Sequence, residues 1–288
     1  MASGWFKRRP RPAPSGETSV AEGSWLPCPQ FKELLFVPEL SRQHQVCMSC
    51  GYHFRLSARE RLDLLLDEGS FRELDADLET TDPLQFRGYA ESLRRYQAKT
   101  GMKEAVLTGE GSISGQPVVM GVTDSRFLMG SMASVVGEKL TRAVERATAQ
   151  RCPALLVSDS GGGARMHEGL LSLMQMLKTA GALARHHEAG LLSIILLTDP
   201  SMAGVLASWA SLGDVILAEP GAMVGFTGQR VAKQAGVSKV PKDFQTAEFQ
   251  VAHGQVDAVT PRRELRDTLT ALLSFGQPAP QPEAIHAG

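Results

Sequence analysis

The stretch VSDSGGGARMHEG, residues 157–169, leads from an apolar run through three consecutive glycines into a segment with helical character. A strand that passes through glycines into a helix is typical of α/β proteins. The glycines allow a tight turn and expose successive N–H groups at the helix start. Met166 stands where a dinucleotide fingerprint needs its third glycine, and the Gly-Lys-Ser/Thr of a P-loop is absent.

The segments around this stretch alternate between strand and helix patterns. Leu170, Leu173, Met174 and Leu177 have helical spacing and predict a helix that runs up to Gly190. The alternation predicts an α/β fold with helices packed on a sheet. The other predicted elements are a helix before Gly69, a hairpin of strands 105–113 and 116–124, a helix over 134–149, strands 153–159 and 191–199, and a helix over roughly 203–212. Residues 70–100 are polar and are assigned to a connection.

Composition sets the broad class of the protein. Of 288 residues, 43% are hydrophobic and 21% are charged, which is ordinary for a globular protein. The 30 basic and 31 acidic side chains nearly cancel, so no overall field favours nucleic acid. No apolar run is long enough to span a bilayer, and the basic N-terminus has no apolar segment of a signal peptide behind it. With only four cysteines, these features predict a cytoplasmic location without a membrane segment.

The chain divides into four segments by composition. Residues 1–24 form a basic, proline-rich arm, and residues 25–54 form a small unit with three of the four cysteines. Residues 55–275 form the main domain, and residues 276–288 form a proline-rich tail. We expect the arm and the tail to be disordered, because neither has enough apolar side chains to form a core.

The cysteine unit resembles a zinc ribbon with one ligand replaced. A structural zinc ion needs four ligands, usually from two C-x-x-C knuckles, and here CMSC at 47–50 is complete whereas CPQF at 28–31 ends in Phe31. Three thiolates bind zinc if a histidine supplies the fourth ligand; the alternative is a metal-free ribbon that only packs. The candidate ligands are Cys28, Cys47 and Cys50, with His44 or His53 as the fourth.

Two interpretations of the glycine stretch stay open at this point. In the first, Ser160 is the nucleophile of a serine hydrolase on a G-x-S-x-G turn, although Ser158 occupies the first glycine position. In the second, glycine N–H groups stabilise a developing oxyanion, such as the enolate of a thioester. The candidate bases for the first interpretation are His167, His186, His187 and His253.

Further loops favour a ligand groove approached by backbone. Residues 127–139 and 199–214 place small residues at the start of helices, and GFTGQRV at 225–231 adds a glycine turn with Arg230. Together with the segments SGGGARMHEGLLSLMQMLKTA and EFQVAHGQVDAVTPRRELRDTL, these loops resemble bacterial acetyl-CoA carboxylase carboxyltransferase β subunits. The resemblance covers roughly residues 24–275, including the cysteine unit.

The resemblance implies a crotonase-like (ClpP/crotonase) β-β-α superhelix with a small zinc-ribbon-like unit. It implies transfer of a carboxyl group from carboxybiotin to acetyl-CoA, which yields malonyl-CoA, the first step of fatty acid synthesis. It also implies an α2β2 assembly with a carboxyltransferase α subunit, together with biotin carboxyl carrier protein and the ATP-using biotin carboxylase. Backbone N–H groups would hold the thioester enolate, and the donors aligned with the family motif are Gly162 and Gly163.

Three departures from the family pattern affect these residues. The third glycine makes Gly161 and Gly162 the alternative donor pair, and SMAGV at 201–205 replaces a usual Gly-Gly pair. Ala203 there keeps its N–H but restricts the backbone if φ must be positive. Phe31 replaces a zinc ligand.

Two further candidate sites contain charged residues: Arg165 in the glycine stretch and the basic segment KRRPR at 7–11. Arg165 either binds a phosphate of coenzyme A or anchors the loop; the alternative is a salt bridge on the first helical turn. The proposed chemistry requires neither His167 nor Glu168. A secondary, weak binding of nucleic acid through the cysteine unit and KRRPR at 7–11 is the non-enzymatic alternative.

Overall fold

The computed structural model describes residues 24–227, 234, 241 and 243–276. The predicted arm and tail therefore lie outside the described residues, apart from Ser24 and Gly276, as does Arg230. The strands are β1 (Trp25–Pro27), β2 (Leu34–Phe36), β3 (Arg72–Leu74), β4 (Val106–Ile113), β5 (Gln116–Thr123), β6 (Ala154–Ser160), β7 (Ser193–Met202), β8 (Val215–Ala218), β9 (Val224–Gly225) and β10 (Ala258–Val259). The helices are α1 (Val37–Arg42), α2 (Ala58–Leu65), α3 (Tyr89–Thr100), α4 (Ser134–Gln150), α5 (Leu170–Glu188), α6 (Ala203–Leu206), α7 (Ala247–Ala252) and α8 (Leu265–Phe275).

One mixed sheet organises the main domain. Its order is β10-β8-β7-β6-β5-β4-β3, antiparallel from β3 to β5 and parallel from β5 to β10, with β9 paired beside β7. The parallel strands β6 and β7 are almost wholly buried, which their continuous runs of Leu, Ile and Val require. The predicted hairpin of β4 and β5, both buried strands, and the predicted α/β crotonase-like architecture are confirmed.

The ends of β6 and β7 place three loops beside one another. The register between these strands shifts between Ser158 and Ser160, after which Ser160 pairs with Ser201. Ser201 in turn pairs with Val224 of β9. Because parallel strands end at the same edge of a sheet, the loops after β5, β6 and β7 converge there.

Helix α4 packs on strands β4 and β5 of the sheet. It buries Val136, Leu140 and Val144, and a Cβ on Gly121 of β5 would lie only 2.6 Å from Leu140 Cδ2. Helix α2 begins with a capping box between Ser57 and Glu60, in the region where the sequence predicts a helix.

Helix α5 forms where the spacing predicts it, but its leucine-rich face is turned outward. The buried side chains of α5 are small or polar over most of its length. Although Leu183 is buried and Met176 is partly buried, five of its large apolar side chains are between 42% and 68% exposed. These side chains, here called the α5 apolar face, are Leu170, Leu171, Leu173, Met174 and Leu177.

Two sequence predictions of elements are wrong. The helix expected over roughly 203–212 ends at Leu206, because the backbone of Ser208 leaves the helical region (φ −132°, ψ −117°) and Trp209 turns into the core. The connection assigned to residues 70–100 contains strand β3 and helix α3. Strand β3 is too short and polar to show a period.

Candidate active site

The glycine loop lies against the loop that follows β5. The N–H groups of Gly161 and Gly162 both donate to the carbonyl oxygen of Met129, at 2.9 and 3.0 Å. Met132 N donates to Gly163 O at 2.9 Å, and Arg165 N donates to Met132 O at 2.9 Å. Two of the three predicted donors are therefore engaged within the protein.

The loop that receives these bonds has an unusual backbone. Leu128, Met129 and Gly130 all have positive φ, at 44°, 59° and 65°. A Cβ on Gly130 would lie 2.3 Å from Asp159 O, so only glycine fits where this loop passes the end of β6.

The third loop meets the glycine loop through backbone atoms. A Cβ on Gly163 would lie 3.1 Å from Gly204 N and 3.3 Å from Ala203 Cβ. A Cβ on Gly204 would lie 3.2 Å from Ala164 N. Among the described residues, no hydrogen bond uses the N–H of Gly163 or of Gly204. The two loops thus bring unengaged N–H groups to adjoining positions at the strand ends.

The backbone of Ala203 has a φ of 56°, which is in the positive region that disfavours a residue with a Cβ. An L-residue other than glycine pays roughly 1–2 kcal/mol there, partly offset by the greater chain entropy of glycine. We expect Ala203→Gly to raise the free energy of unfolding by about 0.5–1 kcal/mol. Urea denaturation checks this expectation, with Ala207→Gly as the control, since Ala207 has a φ of −74°. A less stable Ala203→Gly protein would contradict it.

The serine hydrolase interpretation is wrong for the described structure. Ser160 is fully buried, and its Oγ donates to the carbonyl oxygens of Gly130 at 2.8 Å and Gly162 at 2.9 Å. A nucleophile needs a base in hydrogen-bond reach, and Ser160 has two carbonyl acceptors instead. The Ser160 hydroxyl therefore forms hydrogen bonds within the glycine loop rather than acting as a nucleophile.

The four candidate bases lie in other surroundings. His186 is buried, with Nδ1 bonded to Thr148 Oγ1 and Nε2 to Leu192 O, and His187 pairs with Asp214 at 2.9 Å. His253 stacks on Phe249. His167 stacks on Tyr89 with ring centroids 4.6 Å apart, and its buried Nδ1 has no hydrogen-bond partner among the described residues.

Arg165 is buried beneath the glycine loop and uses all five of its N–H groups. Nη1 and Nη2 donate to the Glu104 carboxylate at 2.8 and 2.7 Å. The other bonds reach Ser131 Oγ, Ser131 O and the Tyr89 hydroxyl. Burial alone would lower the pKa of Arg165, but the Glu104 carboxylate raises it above its ordinary value. These contacts match the loop-anchoring role and leave no donor for a coenzyme A phosphate.

Glu168 extends this network to helix α4. Its carboxylate is fully buried and accepts from the Tyr89 hydroxyl and from Ser134 N, both at 2.6 Å. A carboxylate at a helix N-terminus is stabilised by the unpaired N–H groups there. Sequence reasoning missed Tyr89 and Glu104, because both lie at or near the connection that it left without structure.

Asp159, just before the glycine loop, is a buried carboxyl group. Its Oδ2 accepts from Ser125 N and Ser125 Oγ at 3.0 and 2.9 Å, whereas Oδ1 has no partner among the described residues. Burial raises its pKa to about 7. Asp159 therefore titrates near neutral pH.

The cysteine unit brings its three predicted ligands together. The sulfur atoms of Cys28, Cys47 and Cys50 all lie within 4.8 Å of one another. Neither histidine joins them: His53 uses Nδ1 on Gly51 O and accepts from Arg262 N at Nε2, and His44 is not part of the cluster. The set fits zinc with three protein ligands.

A buried ion cluster fastens this unit to the main domain. The Glu219 carboxylate pairs with Arg61 and Arg262, all three nearly inaccessible, and Arg262 Nη1 also donates to His44 O at 2.8 Å. Burial would raise the pKa of Glu219, but the two guanidinium groups lower it well below its usual range.

Comparison with known proteins assigns this chain to a class. The model of the carboxyl transferase domain family matches residues 54–253, and the chain belongs to this class of carboxyltransferases. More narrowly, it belongs to the family of acetyl-coenzyme A carboxylase carboxyl transferase subunits beta. The chain is 55% identical over 256 residues to that subunit of Desulforamulus reducens, covering 89% of this chain and 88% of the relative. It is 51% identical over 269 residues to that of Desulfitobacterium hafniense, covering 92% and 88%.

Solved structures agree with this class. A transcarboxylase 12S structure with methylmalonyl-coenzyme A bound superposes with a TM-score of 0.67 at 27% identity, covering 83% of this chain and 44% of that one. The Pseudomonas malonate decarboxylase MdcD-MdcE hetero-dimer gives a TM-score of 0.61 at 26% identity, covering 79% and 90%. Within the described residues, no helix has the length and apolar character to cross a membrane.

Proposed function

We propose that this chain, with a carboxyltransferase α subunit, transfers a carboxyl group from carboxybiotin on a carrier protein to acetyl-CoA and forms malonyl-CoA. The observation that carries the proposal is the unengaged N–H of Gly163 beside residues 203–204, with a buried structural serine where a nucleophile would stand. The relatives' names supply the acetyl-CoA carboxylase context. The reaction takes place in the cytoplasm, together with biotin carboxylase and biotin carboxyl carrier protein.

The chemistry needs stabilisation of charge rather than a side-chain nucleophile. Breaking the N–C bond of carboxybiotin would release CO2 and leave a biotin anion that accepts a methyl proton of acetyl-CoA. The resulting enolate would carry negative charge on the thioester oxygen, and its carbon would form the new C–C bond with the CO2. An N–H aimed at that oxygen stabilises the charge, and losing one such donor typically costs about 2.7–4 kcal/mol of transition-state stabilisation. The rigid loop contacts hold the donor in place before reaction.

Gly163 is the donor that we favour among the three glycines. Gly161 and Gly162 give their N–H groups to Met129 O, so either would have to break a bond to serve the substrate. Gly204, whose N–H lies in the first turn of α6, is the second donor that we propose. The buried Arg165–Glu104 ion pair anchors the glycine loop that carries Gly163.

The α5 apolar face is the surface that we propose for the α subunit. Five large apolar side chains in two turns are exposed next to the glycine loop, whereas the buried positions of the same helix, apart from Leu183, are small or polar. Apolar patches of this kind mark interaction sites. A partner seated there would border the loop, as expected for a site completed by two subunits in an α2β2 assembly.

Leu173→Asp is expected to abolish assembly with the α subunit without unfolding the chain, because Leu173 is 50% exposed. A charge buried at the centre of an apolar interface costs at least about 2 kcal/mol, which is more than tenfold in affinity. Size-exclusion chromatography of the mixed subunits measures the loss. Phe275→Asp, at the exposed end of α8, is the control and should assemble normally. Unimpaired assembly of Leu173→Asp would contradict the assigned surface.

The proposed cofactor of the cysteine unit is zinc, held by the thiolates of Cys28, Cys47 and Cys50. We expect about one equivalent of zinc in the purified protein, and its absence would contradict the proposal. Phe31→Cys completes the first knuckle, CPQF at 28–31, and should tighten zinc binding by about tenfold or more in chelator competition. Met48→Cys is the control, because it adds an exposed thiol between the two ligand positions of the CMSC knuckle rather than at a ligand position.

The reverse reaction tests the function directly. Malonyl-CoA-dependent carboxylation of free biotin is measured with this chain alone, with the α subunit alone and with both. Activity only in the combined sample is the expected result. A reconstituted pair without activity would overturn the proposal.

A further inference from the structure

A cleft lies beside Glu104, the ion-pair partner of Arg165. It has a volume of about 410 Å³, within the range of small-molecule sites. Met102, Val106 and Leu107 provide apolar lining, and Glu104 lines it from the side of the loop anchor. Four cationic side chains also line it: Arg59, Lys103, Arg126 and Lys139.

Lys139 is the unusual member of this set. Its side chain is 2% exposed in the middle of helix α4, and the nearest carboxylate oxygen, Glu73 Oε1, lies 3.9 Å from Nζ. Among the described residues Nζ donates no hydrogen bond, and this long ion pair with Glu73 is its charge partner. Burial lowers the pKa of Lys139. A buried ammonium group without a close acceptor is costly unless something pairs with it.

Two guanidinium groups add free donors at the mouth of the cleft. Arg59 lies over the Phe71 ring and approaches Glu73 only to 3.5 Å, so its N–H groups form no hydrogen bond among the described residues. Arg126 pairs with Asp124 through Nε and Nη2, and its Nη1 has no hydrogen-bond partner in the part of the chain that the structure describes. Lys103 pairs with Asp77 at 2.9 Å.

The acidic groups of the cleft are already occupied. Glu104 accepts from Arg165, from Thr80 Oγ1 at 2.5 Å and from Ala105 N at 2.7 Å, so it offers no acceptor to a ligand. Glu73 stands between Arg59 and Lys139 and is the carboxylate that a ligand would displace. The donors that lack partners are all cationic.

We propose that this cleft binds a small phosphate-bearing ligand, with Lys139 Nζ, the Arg59 guanidinium and Arg126 Nη1 as donors. Arginine forks and a lysine point charge are the usual partners of phosphate oxygens. The apolar lining suits the organic part of such a ligand. The phosphate belongs either to a free phosphate compound or to coenzyme A. Only the assignment to coenzyme A rests on the proposed function.

The test is titration calorimetry of the full chain with inorganic pyrophosphate and, separately, with coenzyme A. We expect saturable binding of pyrophosphate, weakened about tenfold or more in Lys139→Met and in Arg59→Gln. Met keeps the buried stem and favours helix, and Arg59 is at the surface, so at least one variant should fold normally. Lys99→Gln removes the same charge from exposed helix α3 outside the cleft, and should bind as the parent does.

The outcomes separate the two sources. If Lys139→Met weakens coenzyme A as well as pyrophosphate, the cleft takes the phosphates of the thioester substrate. If only pyrophosphate is affected, the cleft is a separate phosphate site, and this holds whether or not the chain is a carboxyltransferase. Absence of pyrophosphate binding, or equal affinity in the parent, Lys139→Met and Arg59→Gln, overturns the proposal.

Discussion

Gly163→Val is expected to lower kcat of the reconstituted enzyme by about 10²–10³-fold, the usual loss for one missing oxyanion donor. A Cβ at this position meets Gly204 N at 3.1 Å and Ala203 Cβ at 3.3 Å, and a β-branched side chain is larger still. The substitution therefore pushes apart the two loops that carry the proposed donors. The assay is malonyl-CoA-dependent carboxylation of biotin in the presence of the α subunit.

Two control variants make this result specific. Gly181→Ala lies in helix α5, where an added Cβ meets only Arg185 Nη1 at 3.6 Å, and it should leave kcat unchanged. Ser160→Ala should retain most of the activity, because Ser160 only bonds to two carbonyl oxygens. An active Gly163→Val enzyme together with an inactive Ser160→Ala enzyme would reverse our assignment.

Arg165→Met is expected to destabilise the folded chain by about 3–5 kcal/mol, the usual cost of breaking a buried ion pair from one side. The substitution leaves the Glu104 carboxylate in the interior without its main partner and removes the bonds to Ser131 and Tyr89. Urea denaturation measures the loss. Arg55→Met is the control, since Arg55 is 49% exposed and 3.4 Å from Asp199, and should cost at most about 1 kcal/mol.

This prediction also separates the two roles considered for Arg165. A loop anchor lowers stability when it is removed, and kcat falls because the glycine loop loses its support. A phosphate ligand would instead raise KM for the coenzyme A substrate at unchanged stability. The second result would contradict the network of contacts seen around the guanidinium group.

Much of the fold follows from local patterns. The hairpin of β4 and β5, the helices α2, α4 and α5, and the buried strands β6 and β7 were all indicated by period and by turn residues. The cluster of Cys28, Cys47 and Cys50 followed from knuckle spacing. The strands and helices depend on neighbours within a few residues along the chain, which is the range over which such patterns carry information. Cys28, by contrast, is far in sequence from the CMSC knuckle and was grouped with it by the likeness to a zinc ribbon.

The sequence could not decide which way helix α5 faces. The spacing of Leu170, Leu173 and Leu177 indicates one apolar side, and the ordinary expectation places that side in the core. In the structure Ser172, Thr179 and Ala182 are buried instead, because α4 and the sheet pack against the side of the helix that carries these small residues. Contacts between segments that are far apart in the sequence decide which face of helix α5 is buried.

The sequence by itself determined the α/β class, the family resemblance and the position of the three glycines, 161–163, at the end of a buried strand. Only the tertiary structure shows which of their N–H groups are engaged within the described residues, because the acceptor lies more than 30 positions away in the chain. Met129 O takes two of the N–H groups and leaves that of Gly163 beside Gly204. Likewise, Arg165 became an anchor only when folding brought Glu104 to it, since a buried charge must find its partner in space rather than in sequence.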